Sequence, residues 1–265
     1  MSEMFRLAMV DGVSGPEIVV ELRGKIVPVL DVLGSAIFIP NDSRDLMPIL
    51  REWRKYSSAI ESRIADDPAI FDSGRDASEA KFRSPLAAPG KLICVGANYH
   101  DHINEMPIPM VPKYPFSFIK PGNNTIRGSG DTVVAPQNVE KFDYEAELAI
   151  VIGEECSKVS EEKALDVVAG YINFNDLSAR DWIESRPPIG VDWVMHKGFD
   201  GFAPLGPYLV PSKFVSDPQN LPVRLSVNDE IRQNSNTGQM VFGVAACIAH
   251  LSSIMTLYPG DVIGT

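Results

Sequence analysis

After residue 90 the apolar residues of this 265-residue chain fall into short runs: LICVG, FSFIK, TVVAP, ELAIVIG, GYINFN, APLGPYLV, VRLSV and DVIG. Pro and Gly, 21 and 20 in number, punctuate them. Runs of this length bounded by turn formers suit strands and are too short for helices. Many of them in series predict a mainly β (α+β) domain with few helices, folded on itself as a mixed sandwich or roll. The first 82 residues differ in texture. There IVVEL and KIVPVLDVL read as strands, and LMPILREWRKYSSAIESRIADD reads as a polar helical segment. SPLAAPG at residues 84–90 is a linker by composition. The expected organisation is a small N-terminal α/β domain over 1–82 and a larger domain over 83–265. The longest apolar stretch, GQMVFGVAACIAHLSSIMTLYPG from Gly238, is interrupted by His250 and paired serines. It predicts a core-packed helix ended by Pro259-Gly260 and not a membrane span.

Composition excludes several classes. A net charge of −11 without a Lys/Arg cluster argues against nucleic acid or an anionic membrane as partner. It leaves room for a small anionic substrate, because a local cation can override the global field. Neither Gly-x-Gly-x-x-Gly nor a phosphate-binding Gly-x-x-x-x-Gly-Lys motif occurs, so nucleotide binding has no support. Cys94, Cys156 and Cys247 show no Cys-x-x-Cys spacing, which points away from a disulfide framework or a zinc site and towards a reducing cytoplasm. MSEMFRLAMVDG lacks the pattern of a signal peptide.

Three clusters carry candidate chemistry. In FDYEAELAIVI, read as one strand, Glu145 and Glu147 share a face with Ala149 and Val151. Two half-buried like charges repel unless a cation lies between them; the competing reading is an exposed strand decoration paired with lysines. Asp176, in GYINFNDLSARDW, offers a third hard ligand, and an oxygen set without His or Cys suits Mg²⁺ or Mn²⁺. In GANYHDHINEM, one helical turn would set His102 beside Glu105, the arrangement of a carboxylate-oriented general base, with His100 as competitor. Arg180 and Lys197 form the third cluster, able to neutralise the carboxylates or grip a substrate carboxylate. His196 reads as a structural neighbour.

In order along residues 84–265, PLAAPGKLICVGANYHDHINEM, the Lys-Pro of FSFIKPGN, FDYEAELAIVIG, GYINFNDLSARDW, HKGFDGFAPLGPYLV and PGDVIGT resemble the fumarylacetoacetate hydrolase family. The resemblance implies the sandwich-roll fold, usually a homodimer. It implies a divalent metal, commonly Mg²⁺, on Glu145, Glu147 and Asp176. It also implies a catalytic His102, Glu105 and Lys197, with Arg180 and Lys120 binding substrate. The expected activity is hydrolysis of a carbon–carbon bond in a 2,4-dioxo acid of the acylpyruvate type, releasing pyruvate and an acid. Alternatives are an oxaloacetate-type decarboxylase, a 2-oxo-acid isomerase or tautomerase, or, from another class, a non-catalytic β module with a structural Ca²⁺. One departure stands out: such relatives continue from a segment like PGDVIGT into a substrate-contacting Gly-Thr-Pro loop, whereas this sequence reads to Thr265.

Overall fold

The computed structural model describes residues 3–34, 37–40 and 43–265. The first part of the chain supplies β1 (Arg6–Gly12), β2 (Gly15–Leu22), β3 (Lys25–Pro28), β4 (Arg75–Asp76) and β5 (Phe82–Arg83). Next come β6 (Leu92–Gly96), β7 (Phe116–Lys120), β8 (Ile126–Arg127), β9 (Phe142–Asp143), β10 (Ala146–Ile152) and β11 (Val168–Asn175). They are followed by β12 (Ser178–Ala179), β13 (Ala203–Pro204), β14 (Tyr208–Pro211), β15 (Pro222–Val227), β16 (Glu230–Asn236) and β17 (Val262–Gly264). The α-helices are α1 (Val29–Leu33), α2 (Met47–Leu50), α3 (Trp53–Asp66), α4 (His100–Glu105), α5 (Asp181–Glu184), α6 (Trp193–Lys197) and α7 (Val244–Ile254).

An 11-stranded sheet runs β4-β3-β2-β1-β14-β11-β10-β17-β6-β7, with β5 paired to β1. Its neighbours are antiparallel except β17 and β6, which run parallel. The architecture is therefore α+β, a large mixed sheet with few helices, as the run lengths predicted. The strands of the first 82 residues join this sheet where Leu7 and Ala8 pair with Leu209 and Tyr208.

The central strands are covered on both faces, which is why ELAIVI reads as a continuous apolar run and not as an alternation. From β10, Ala149 and Val151 enter one core with Trp53, Tyr56, Ile60 and Ile64 of α3. Leu148, Ile150 and Ile152 enter another with Val244, Cys247, Ile248 and Leu251 of α7. Both helices thus turn a stripe of residues three and four apart towards the sheet. Helix α7 ends at Ile254, short of Pro259.

The stretch FDYEAELAIVI is broken at Tyr144 and Glu145 into β9 and β10. At the break, side-chain carbonyls stand in for strand partners: Glu145 N–H donates to Asn175 Oδ1 at 2.9 Å and Ala146 N–H to Gln233 Oε1 at 2.7 Å. Gln233 belongs to the β15–β16 hairpin, a separate two-stranded sheet. Asn228 and Asp229 close that hairpin with φ of 50° and 66°, a conformation that short polar residues tolerate in tight hairpin turns.

Candidate active site

Four segments converge at the N-terminal end of β10. Glu145 and Glu147 come from its approach and second residue, Asp176 follows β11, Lys120 ends β7 and Lys197 ends α6. Asp176 N–H donates to the Glu145 carbonyl at 2.8 Å, locking the two loops together. Helix α6 is capped by Asp192, which accepts from Met195 N–H at 3.1 Å. Its Trp193 stacks on Phe118 of β7, centroids 4.3 Å apart and planes at 7°. The two lysines therefore reach the carboxylates from elements that pack against each other.

Among the described residues, Glu145, Glu147 and Asp176 form the one carboxylate group whose donor atoms all lie within 4.8 Å of one another. Lys197 Nζ sits 2.6 Å from Glu145 Oε2 and 2.6 Å from Asp176 Oδ2. Lys120, fully buried, pairs with Asp176 and donates to the Leu177 carbonyl at 3.0 Å. Arg180 spans Glu145 Oε1 at 2.5 Å and Asp143 Oδ2 at 2.9 Å. Every carboxylate but one thus has a cation. Glu147 Oε2 is buried without a hydrogen-bond partner among the described residues.

The electrostatics follow from that inventory. Burial would raise Glu145, but Lys197 and Arg180 outweigh it and hold its carboxyl well below the ordinary range. Burial pushes Glu147 well above it, reinforced by Asp176 and Glu145. Burial would lower Lys197, yet Glu145 and Asp176 prevail and keep it firmly protonated. A buried, orphaned oxygen beside two further carboxylates is what a hard divalent cation would satisfy, so the residues present fit Mg²⁺ or Mn²⁺.

His102 and Glu105 lie on α4 as the spacing predicted, with Nδ1 and Oε2 3.8 Å apart, beyond hydrogen-bonding distance, and side chains 40% and 81% exposed. His102 is near enough to contribute to the field on Glu145. His196 is buried, with Nδ1 2.8 Å from the Ala179 carbonyl, and burial pushes it down to about 4. Its neutral ring therefore donates from Nδ1, tying the segment before Arg180 to the residue before Lys197.

Three residues inside the segments FDYEAELAIVIG and PGDVIGT also bear on the site. Asp143 helps to hold Arg180, whose Nε donates to its Oδ2 at 2.9 Å. Gly264 lies against the site: a Cβ there would stand 2.7 Å from Glu147 Oε2 and 2.7 Å from the Phe174 ring. Thr265 Oγ1 donates to the Leu148 carbonyl at 3.0 Å and lies 3.4 Å from the Tyr99 hydroxyl.

Residues 91–265 match the family model described as fumarylacetoacetate (FAA) hydrolase C-terminal. The mitochondrial oxaloacetate tautomerase fahd2 of Xenopus laevis is 41% identical over 215 residues, covering 80% of this chain and 66% of that protein. Human mitochondrial oxaloacetate tautomerase FAHD2B is 45% identical over 188 residues, 71% of this chain and 59% of that protein. The chain thus matches slightly under two thirds of each of these relatives' lengths. Among solved structures, maleylpyruvate hydrolase from Sphingobium sp. SYK-6, in complex with manganese(II) and pyruvate, aligns with a TM-score of 0.78 at 31% identity, covering 98% of this chain and 87% of that one. A 5-carboxymethyl-2-hydroxymuconate delta-isomerase from Mycobacterium smegmatis aligns with a TM-score of 0.70 at 30% identity, over 98% and 86%. These names span tautomerase, hydrolase and isomerase, and the relatives named for oxaloacetate are mitochondrial where a reducing cytoplasm was expected here. No helix among the described residues is long and apolar enough to cross a membrane. On the family match and the identity of its relatives, the chain belongs to the fumarylacetoacetate hydrolase family.

Proposed function

We propose that this protein interconverts the keto and enol forms of a short 2-oxo dicarboxylic acid of the oxaloacetate type, dependent on Mg²⁺ or Mn²⁺ held by Glu145, Glu147 and Asp176. The observation that carries this reading is the contrast between two parts of the site. The carboxylate–lysine cluster is assembled, with Lys197 2.6 Å from both Glu145 and Asp176, whereas His102 and Glu105 stand 3.8 Å apart. Tautomerisation needs an electron sink and movement of one proton; it needs no oriented water. The names of the relatives from Xenopus laevis and human support the same reaction.

When bound, the cation supplies Lewis-acid polarisation of the 2-oxo group and a template for the adjoining carboxylate. Lys197, kept protonated by its two carboxylates, donates towards the C2 oxygen as negative charge develops there. Arg180 keeps donors beyond those spent on Glu145 and Asp143, and these hold the distal carboxylate. In the keto-to-enol direction His102 removes the C3 proton and the C2 oxygen gains one; in the reverse direction the enol oxygen loses its proton and His102 returns one to C3. A homodimer is part of the same proposal, and light scattering in solution tests it.

A second reading, hydrolysis of an acylpyruvate, is favoured by the placement of His102 and Glu105 on one turn of α4 and by the structural match to maleylpyruvate hydrolase. One experiment separates the two: loss of the ultraviolet absorbance of enol-oxaloacetate, run in parallel with pyruvate release from a panel of acylpyruvates. Enol decay accelerated by the protein with Mg²⁺, and abolished by chelator and by Glu147→Gln, is the expected outcome. Pyruvate release from an acylpyruvate with unaccelerated enol decay would hand the site to the hydrolase, and full activity in chelator would sink the metal scheme.

A further inference from the structure

The two halves of the proposed site, the carboxylate strand and the helix bearing His102, sit on elements that share no strand pairing. The β15–β16 hairpin bridges them. Gln233 and Ser235 are two apart on β16 and so project from one face of it. Gln233 Oε1 accepts from Ala146 N–H at 2.7 Å, the amide between the two glutamates. Ser235 Oγ donates to Asp101 Oδ2, whose other oxygen accepts from His102 N–H at 2.8 Å. The chain then continues to a second grip, on the two residues that lead into the same helix. Phe242 N–H donates to Asn98 Oδ1 at 2.9 Å, Asn98 Nδ2 donates to the Phe242 carbonyl at 3.1 Å, and Tyr99 bridges to Met240. Asn98 is 2% exposed, so these bonds sit in a dry setting where they hold geometry firmly.

From this connectivity we infer that Gln233 and Ser235 are positioning residues: one fixes the spacing of the metal-binding carboxylates, the other the placement of His102 over them. The inference rests on the reading of the site given above. The two bonds are separable, which makes the roles separable. Losing the acceptor at Gln233 frees the Ala146 amide and with it the relative position of Glu145 and Glu147. Losing the Ser235 hydroxyl frees Asp101 and the first turn of α4, and leaves the carboxylates where they are.

The test compares Gln233→Met, which keeps length and packing but cannot accept from Ala146 as a carbonyl does, with Ser235→Ala and Ser235→Thr. Mn²⁺ affinity is read by the loss of free-ion paramagnetic resonance signal, turnover by enol decay, and the clamp itself by hydrogen exchange at the Ala146 and His102 amides. For Q233M, exchange at Ala146 is expected to rise about 10-fold and Mn²⁺ affinity to fall about 10-fold. For S235A, exchange at His102 rises, Mn²⁺ affinity stays at the wild-type value, and kcat falls about 10-fold at unchanged KM, with Ser235→Thr restoring it. Wild-type Mn²⁺ affinity in Q233M, or wild-type kcat in S235A, overturns the inference. If the wild-type protein itself fails to bind Mn²⁺, the metal reading falls, while amide exchange at Ala146 and His102 still decides whether the hairpin holds both elements.

Discussion

Replacing Gly264 with Ala puts one methyl group at the most crowded point of the site. The added Cβ would lie 2.7 Å from Glu147 Oε2, 2.7 Å and 2.9 Å from two ring carbons of Phe174, and so about 0.7 Å inside the 3.4 Å at which ordinary contact begins. Something must yield. Phe174 is 3% exposed and part of the main hydrophobic core, so the ring is boxed in, and the glutamate carboxylate, with no hydrogen bond to its Oε2 among the described residues, is the part that can swing. Overpacking of this kind costs about 1–3 kcal/mol, readable as a shift of the urea midpoint at constant slope. Displacing a ligand oxygen by that distance should also weaken Mn²⁺ binding about 10–100-fold, measured by resonance titration on the folded protein. A G264A protein with wild-type stability and wild-type Mn²⁺ affinity would refute the claim that this glycine exists to leave room for Glu147.

Lys197→Met should destabilise the metal-free protein by up to about 3–5 kcal/mol, since it leaves the buried carboxylates of Glu145, Glu147 and Asp176 with Arg180 and Lys120 as their remaining cations. Because a divalent cation can replace the lost charge, saturating Mn²⁺ should raise the Tm of K197M more than that of the wild type; equal increments would argue against a shared cation position. His196 supplies a pH prediction. Its folded value of about 4 lies below the unfolded value of about 6.5, so its contribution is complete above about 6.5 and is lost as pH falls towards 4, by up to about 3 kcal/mol. His196→Asn, which keeps a donor for the Ala179 carbonyl, should flatten stability across that interval. An unchanged acid slope in H196N would assign the loss to other groups.

Most of the sheet was legible because strands buried on both faces announce themselves as uniform apolar runs, and α3 and α7 because their buried residues keep helical spacing. The break at Tyr144 and Glu145 was not. Nothing local distinguishes a continuous strand from one whose amides are taken by Asn175 and Gln233, both supplied from elsewhere in the chain. The same holds within the site. Glu145, Glu147, Asp176, Lys197 and Arg180 could be named because each sits in a recognisable motif. The charge inventory that leaves Glu147 alone could not, since it depends on which lysine meets which carboxylate. Lys120 shows the difference: the resemblance assigned it to substrate, and only three-dimensional convergence places its ammonium on Asp176 at zero exposure. Gln233 and Ser235 each contribute one side-chain hydrogen bond to a distant segment, and such contributions have no pattern along the chain.

Strand β17 has a bearing on how the molecule comes into being. Among the described residues it follows every other strand in chain order, yet it lies between β10 and β6 and is the link from β6 and β7 to the remainder of the large sheet. Lys91 and Asp261, 170 residues apart, clasp each other at its foot. Until Val262–Gly264 arrives, two central strands wait with open edges, the kind of surface on which chains stick to one another. Closure across so long a loop is slow, so the growing polypeptide should dwell in an unfinished state, with the carboxylate end of β10 unsheltered until Gly264 slides in beside Glu147.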